Sequence, residues 1–173
     1  SRYNLGLFQL SLNDFKNGWK NYESRKKIMD INEEILGIPS EIIWDGSSSE
    51  KNIYVHSEQG IGDEILISSI YNDLDQKNNN IFISCDKRLI SIFKRNFKKI
   101  NFFDKNSQFR VDNNSKHIFS FSLGKYFRKN KNDFTVNKNS WIKTDKNTDK
   151  EIINKFKNLK NKRIGISWKS TED

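Results

Sequence analysis

Residues Asn52 to Leu74, NIYVHSEQGIGDEILISSIYNDL, gather the side chains of this chain best suited to chemistry. His56, Glu58, Gln59, Asp63 and Glu64 fall within nine positions, with Gly60 and Gly62 between them. A carboxylate such as Asp63 at a helix start can take the proton of an attacking hydroxyl. A loop of free N–H groups at the same place can hold an anion. Gly60 and Gly62 can adopt backbone angles closed to other residues and let a ligand approach the main chain. His56 can contact a substrate or hydrogen-bond the turn, and Gln59 can bind hydroxyl groups. Each has a plainer reading: Asp63 can cap a helix, Glu64 can offset its dipole, and the glycines can simply make the turn. The spacing Gly-Ile-Gly-Asp departs from GxGxxG, and an acid there suits direct pyrophosphate cradling poorly, which argues against a dinucleotide oxidoreductase.

A strand and a helix must place these groups. Residues 52–57 read as a buried strand, apolar at Ile53 and Val55, and a helix is expected over about 63–75. A strand–glycine loop–helix unit puts its loop at the carboxyl edge of the sheet, where open α/β sheets bind ligands. Strands are expected at 81–85, 100–103, 117–121 and 163–168. Helices are expected at about 87–96 and 149–159. Their alternation implies parallel crossovers and a layered α/β domain. Ahead of it, residues 2–25 read as a helical hairpin. Leu5, Phe8 and Leu12 share one face, and Phe15, Trp19 and Tyr22 another, with Asp14 capping the second helix. One hairpin cannot bury its own face, so it should stack on a neighbour. Residues 26–50 form a connector with a helical turn near 31–36, interrupted by Pro39 and Gly46. Trp19, Tyr22 and Trp44 read as packing aromatics. The basic stretch Lys125–Asn132 reads as a solvated surface loop, with approach to an anionic acceptor as the alternative.

The 173 residues suffice for one domain and part of another. The chain starts without Met and stops just after a strong strand, and it reads as a piece truncated at both ends. A net charge of +9 raises nucleic acid or a membrane surface as partners. The lysines are scattered and interleaved with Asn, in a composition dominated by Lys, Asn and Ile, as AT-rich coding gives. This favours a solvated basic surface, and no stacking or groove-reading motif accompanies the charge. A single cysteine, Cys85, excludes an intramolecular disulfide. With two separated histidines, it also argues against structural zinc. No apolar run is long enough to span a bilayer and no signal peptide is present, so a reducing cytoplasm is the expectation.

Three pieces in order carry a resemblance. YNLGLFQLSLNDFKNGWKNYESR resembles the last tetratricopeptide (TPR) repeat of an array. WDG before a strand, HSEQGIGDEI, and IGISWKST after a helix together resemble bacterial TPR-containing glycosyltransferase-like proteins. These are similar to the heptosyltransferases and more distantly to O-GlcNAc transferase. The resemblance implies a GT-B fold, with two Rossmann-like domains facing across a cleft. Residues 1–25 would be the terminal repeat, 26–50 the connector, 51–160 the acceptor-side domain, and 161–173 the opening strand of a truncated second domain. That second domain would bind most of a nucleotide-sugar, so this chain alone is expected to be inactive.

The resemblance implies Asp63 as base for the acceptor hydroxyl. It implies substrate contacts from His56, Glu58, Gln59, Gly60 and Gly62, and donor-phosphate contacts from Lys169, Ser170 and Thr171. It implies no metal, and no cofactor beyond the nucleotide-sugar substrate. The expected partners are that donor, a glycan, lipid-linked or protein acceptor, and a protein partner on the repeats. The alternative is a non-catalytic TPR/GT-B-like interaction scaffold.

Overall fold

A computed structural model of the chain describes residues 1–31, 36–47, 52–75, 80–107, 114–134, 140–158 and 164–165. They fall into two compact units, Ser1–Ile142 and Lys143–Asp173.

In the first unit, strands β1 (Asn52–His56), β2 (Asn80–Cys85), β3 (Ile100–Asp104) and β4 (Ser115–Phe119) form one sheet in the order β3-β2-β1-β4. Every neighbouring pair is parallel, with Val55 opposite Ile83 and Ile118, and Ile83 opposite Phe102. Those side chains share one buried face with Ile53 and Ile81. Such apolar runs suit parallel strands covered by crossover helices. Helices α5 (Tyr71–Asp75) and α6 (Lys87–Asn96) cover this face through Tyr71 and Phe93, whose rings lie 6.1 and 5.4 Å from that of Phe102. The α/β class expected from the alternation is the class observed, and the parallel sheet is compatible with a Rossmann-like domain.

Element boundaries differ from expectation for local reasons. The helix expected over 63–75 begins at Ile61, where Gly60 takes the N-cap position. It then divides into α4 (Ile61–Ile67), a 3-10 turn (Ser68–Ile70) and α5. At the break, the Ser68 hydroxyl donates back to Ile65 O at 2.6 Å, a bond that competes with the helix ladder. The strand expected at 117–121 lies at 115–119 because β1, its pairing partner, ends at His56 opposite Phe119. The chain then turns through Ser120–Leu123 into α7 (Gly124–Phe127).

The hairpin forms as expected. Helix α1 (Arg2–Ser11) and helix α2 (Phe15–Tyr22) are separated by Asn13, at φ 63°, and Asp14 caps α2 by accepting from Asn17 N–H. The helices cross at Gly6, where a Cβ would lie 2.6 Å from the backbone nitrogen of Tyr22. The neighbour that α2 stacks on is the α/β domain. Trp19 Nε1 donates to Arg128 O at 2.7 Å, and its ring lies over Gly124. The outer face of α1 leaves Leu5, Phe8 and Leu12 exposed. A short helix, α3 (Arg25–Ile28), follows α2.

The connector belongs to the domain. Ile38, Ile42 and Trp44 are buried, and Trp44 N–H donates to His117 O at 2.8 Å on the β4 edge. The turn expected near 31–36 lies outside the described residues, except for its ends. In the second unit, α8 (Lys146–Phe156) starts earlier than expected because Asp145 caps it, accepting from Asn147 and Thr148 N–H. The strand expected at 163–168 lies largely outside the described residues, and Lys169, Ser170 and Thr171 lie wholly outside them. No helix among the described residues is long and apolar enough to cross a membrane.

Candidate functional site

Strand β1 pairs with β2 on one side and β4 on the other. The sheet therefore has its topological switch point between β1 and β4, where such folds open a ligand crevice at the carboxyl ends. His56 and Phe119 end the two strands, and residues 57–60 form the loop leading into α4.

Asp63 sits half-buried in the first turn of α4. No side chain caps this helix, and among the described residues the Asp63 carboxylate has no hydrogen bond or ion pair. The cap reading is thus not what the geometry gives. Gly60 adopts φ −72° and Gly62 lies within the helix, so neither uses the left-handed backbone region expected of them. A Cβ on Gly62 would meet nothing within 4 Å, and one on Gly60 would meet only the Asp63 carboxylate, at 3.6 Å. These glycines leave the surface beside Asp63 open.

Glu64 is buried and bridges outward. Its carboxylate accepts from Asp86 N–H at 2.7 Å and from Lys105 Nζ at 2.8 Å, tying α4 to the ends of β2 and β3. This is a fuller task than offsetting a dipole.

Glu58 is fully enclosed. Arg25 Nε and Nη2 donate to its two oxygens at 2.8 and 2.9 Å, and Phe121 N–H donates to it at 2.7 Å. Both side chains are 0% exposed. A ligand hydroxyl would have to displace a bidentate guanidinium, the strongest kind of protein ion-pair contact. Glu23 joins through Arg25 at 2.9 Å and Ser122 Oγ at 2.7 Å. Burial alone would raise the Glu23 carboxyl, but the Arg25 guanidinium overrides it and holds it below the usual range. Gln59 Nε2 donates to the Tyr22 hydroxyl at 3.2 Å. The helical hairpin thus grips two consecutive loop residues.

His56 heads a buried chain of hydrogen bonds. Its Nε2 lies 3.0 Å from His117 Nδ1, and His117 Nε2 lies 2.8 Å from Ser115 Oγ. The rings stack 5.3 Å apart on the sheet face opposite Val55. Burial, aided by His117, pushes the His56 pKa down to about 4, so the ring is neutral near pH 7. Far apart in sequence, the two histidines meet because β1 and β4 are neighbours. Among the described residues no group of three His, Cys, Asp or Glu side chains is placed to hold a metal ion. Cys85 is buried, and burial pushes its thiol up to about 12, which makes it a poor nucleophile.

Two clefts of about 320 Å³ each open at this edge and share Leu36, Ser57 and Lys105. One extends to Gln59 and Phe119, the other to His56 and Ser84. Ser57 was not expected in the site from sequence. Its N–H donates to Ser84 Oγ at 2.8 Å, but its own buried hydroxyl has no partner. Arg25, Lys105 and His117 were equally invisible as site residues, since each arrives from another element. A larger, apolar cavity of about 440 Å³ lies away from this edge, between Leu10, Phe15, Trp19 and Phe134. It carries none of the titratable groups named above. Comparison with family models, with curated proteins and with solved structures gives no match.

Proposed function

We propose that this chain is the acceptor side of a sugar transferase of the GT-B kind, with Asp63 as the base that takes the acceptor hydroxyl's proton. The observation that carries the reading is the Asp63 carboxylate: half-buried, unpaired among the described residues, and set in the first turn after the switch-point loop. A base must be within reach of the hydroxyl and not already committed, and Asp63 meets the second requirement where Glu58 and Glu64 do not. In this reading Gly60 and Gly62 keep the approach to Asp63 open, and His56 and Gln59 line clefts at the same sheet edge. The same reading gives the donor, a nucleotide-sugar, to a second domain and assigns phosphate contacts to Lys169, Ser170 and Thr171. A protein carrying this chain together with such a domain should release nucleotide from a sugar donor in the presence of acceptor. Asp63→Ala should lower that rate at least ~100-fold, the scale of a positioned general base. Unchanged turnover would remove Asp63 from this role.

A second reading is a non-catalytic interaction scaffold on a TPR-like hairpin. The exposed Leu5, Phe8 and Leu12 on the outer face of α1 favour it. It predicts no nucleotide release with any sugar donor, together with a protein partner lost on Phe8→Asp.

A further inference from the structure

Helix α6 and the turn after it concentrate the charge of this chain. Residues 87–99 hold Lys87, Arg88, Lys94, Arg95, Lys98 and Lys99 and no acid, against a net charge of +9 for all 173 residues. The fold turns these groups outward. Leu89 and Phe93 are buried, and Ile90 and Ile92 pack partly buried against the same core. Lys87, Arg88, Ser91, Lys94, Lys98 and Lys99 are exposed, and Arg95 is half-buried. Arg88 pairs with Asp86 at 2.9 Å yet keeps 58% of its side chain exposed. Lys87, Lys94, Lys98 and Lys99 have no ion pair among the described residues. Like charges crowded on one helix face repel, a small cost that an anionic partner removes.

Shape and composition choose among polyanions. Lys87 and Lys94 are seven positions apart and stand in one row along α6. Arg88 and Arg95 form a second row about 100° round the helix, with the uncharged Ser91 between the two. A flat lipid surface meets one such row at a time, and a helix that lies on it normally inserts an apolar face. The apolar face of α6 is spent on the core, and none of the exposed large apolar side chains lies on this helix. The major groove of a nucleic-acid duplex, about 12 Å wide in B-DNA, admits a helix and sets a phosphate backbone along each side of it. Two cation rows flanking a neutral ridge match that arrangement. The ten-residue helix, about 15 Å long, spans roughly half a turn of such a duplex.

We propose that the outer face of α6 is an interaction surface for double-stranded DNA, bound through its phosphates irrespective of sequence. Backbone contacts of this kind position a protein without reading bases. The inference is independent of the role given to Asp63. Its test is fluorescence anisotropy of a labelled duplex of mixed sequence, about two helical turns long, titrated with the 173-residue chain. Vesicles containing phosphatidylserine serve as the competing polyanion.

Neutralising about four phosphates should make the affinity fall roughly 100-fold between 50 and 200 mM salt. Lys87→Gln, Lys94→Gln and Lys98→Gln together should weaken binding at least ~10-fold. The matched control, Lys146→Gln, Lys150→Gln and Lys155→Gln, removes the same charge from exposed positions of α8 and should weaken it less than about threefold. Both variants should keep the parent's melting temperature, because all six side chains are exposed. The proposal is overturned if the duplex is not bound at 50 mM salt. It is overturned equally if both triple variants lose affinity alike, which makes the binding an effect of net charge alone. Tighter binding to the vesicles than to the duplex also overturns it and makes this face a membrane surface.

Discussion

His56 shows how one buried side chain makes the whole fold sensitive to acid. Its folded pKa of about 4 lies below the ordinary histidine value of 6.5. Between those values the unfolded chain takes up a proton that the folded ring refuses. Stability from this group is therefore complete above about pH 6.5 and is lost as pH falls toward 4. The shift corresponds to on the order of 3 kcal/mol. Denaturation midpoints measured from pH 7 to pH 4 should fall, and His56→Gln should remove about one proton from that slope. A slope identical to the parent's would show that the ring is not buried neutral. At the same scale, Gly60 and Gly62 were expected for their backbone freedom. They turn out to matter for the side chains they lack, because both keep ordinary φ angles next to Asp63.

Among the elements, the contact between hairpin and switch-point loop carries the greatest electrostatic stake. Arg25 enters from α3, and its partner Glu58 comes from the loop after β1. Removing one partner of a fully buried pair strands the other charge, which costs about 3–5 kcal/mol. Arg25→Met should lower the urea stability by that amount. Adding Glu58→Gln should recover more than half of it, since the amide oxygen can still accept from Phe121 N–H while the stranded charge is gone. Equal losses in the single and double variants would show that Arg25 acts by packing alone. The elements themselves were largely legible. Helix α6 follows from the apolar positions of residues 87–96, among them Leu89 and Phe93 at i, i+4 spacing, both buried. The divided helix after β1 was not legible, because Ser68 bonds back to its own helix only once that geometry exists.

For the molecule as a whole, the hairpin and the sheet domain form one unit, Ser1–Ile142. Tyr22 from the hairpin and Trp44 from the connector sit in the same core cluster as Ile53 and Leu123. A chain beginning at Leu36 would lose Tyr22 and leave Glu58 without Arg25. It should unfold at least about 3 kcal/mol more easily than the 173-residue chain, from the stranded carboxylate alone. An unchanged denaturation midpoint would mean that the hairpin is an independent appendage. From helical spacing the hairpin was expected to stack on a neighbour, and the spacing left open whether that neighbour was preceding sequence or the domain that follows. Packing joins all three: Trp19 lies over Gly124, the Tyr22 ring is 6.1 Å from that of Phe121, and Trp44 from the connector packs on Tyr126.

The sequence by itself determined the class of this fold, the strand–loop–helix that carries Asp63, and the aromatic face of α2. These follow from periodicity, caps and turn residues acting over a few positions. Only the tertiary structure decided which groups meet at the edge. Strand order set His56 beside His117 across 61 positions, and hairpin docking brought Arg25 to Glu58 across 33. The same packing used up Glu58 and Glu64 and left Asp63 and the Ser57 hydroxyl without partners among the described residues. Whether a polar group is free for chemistry depends on what the rest of the chain brings to it, and that depends on long-range pairing, which no local pattern encodes.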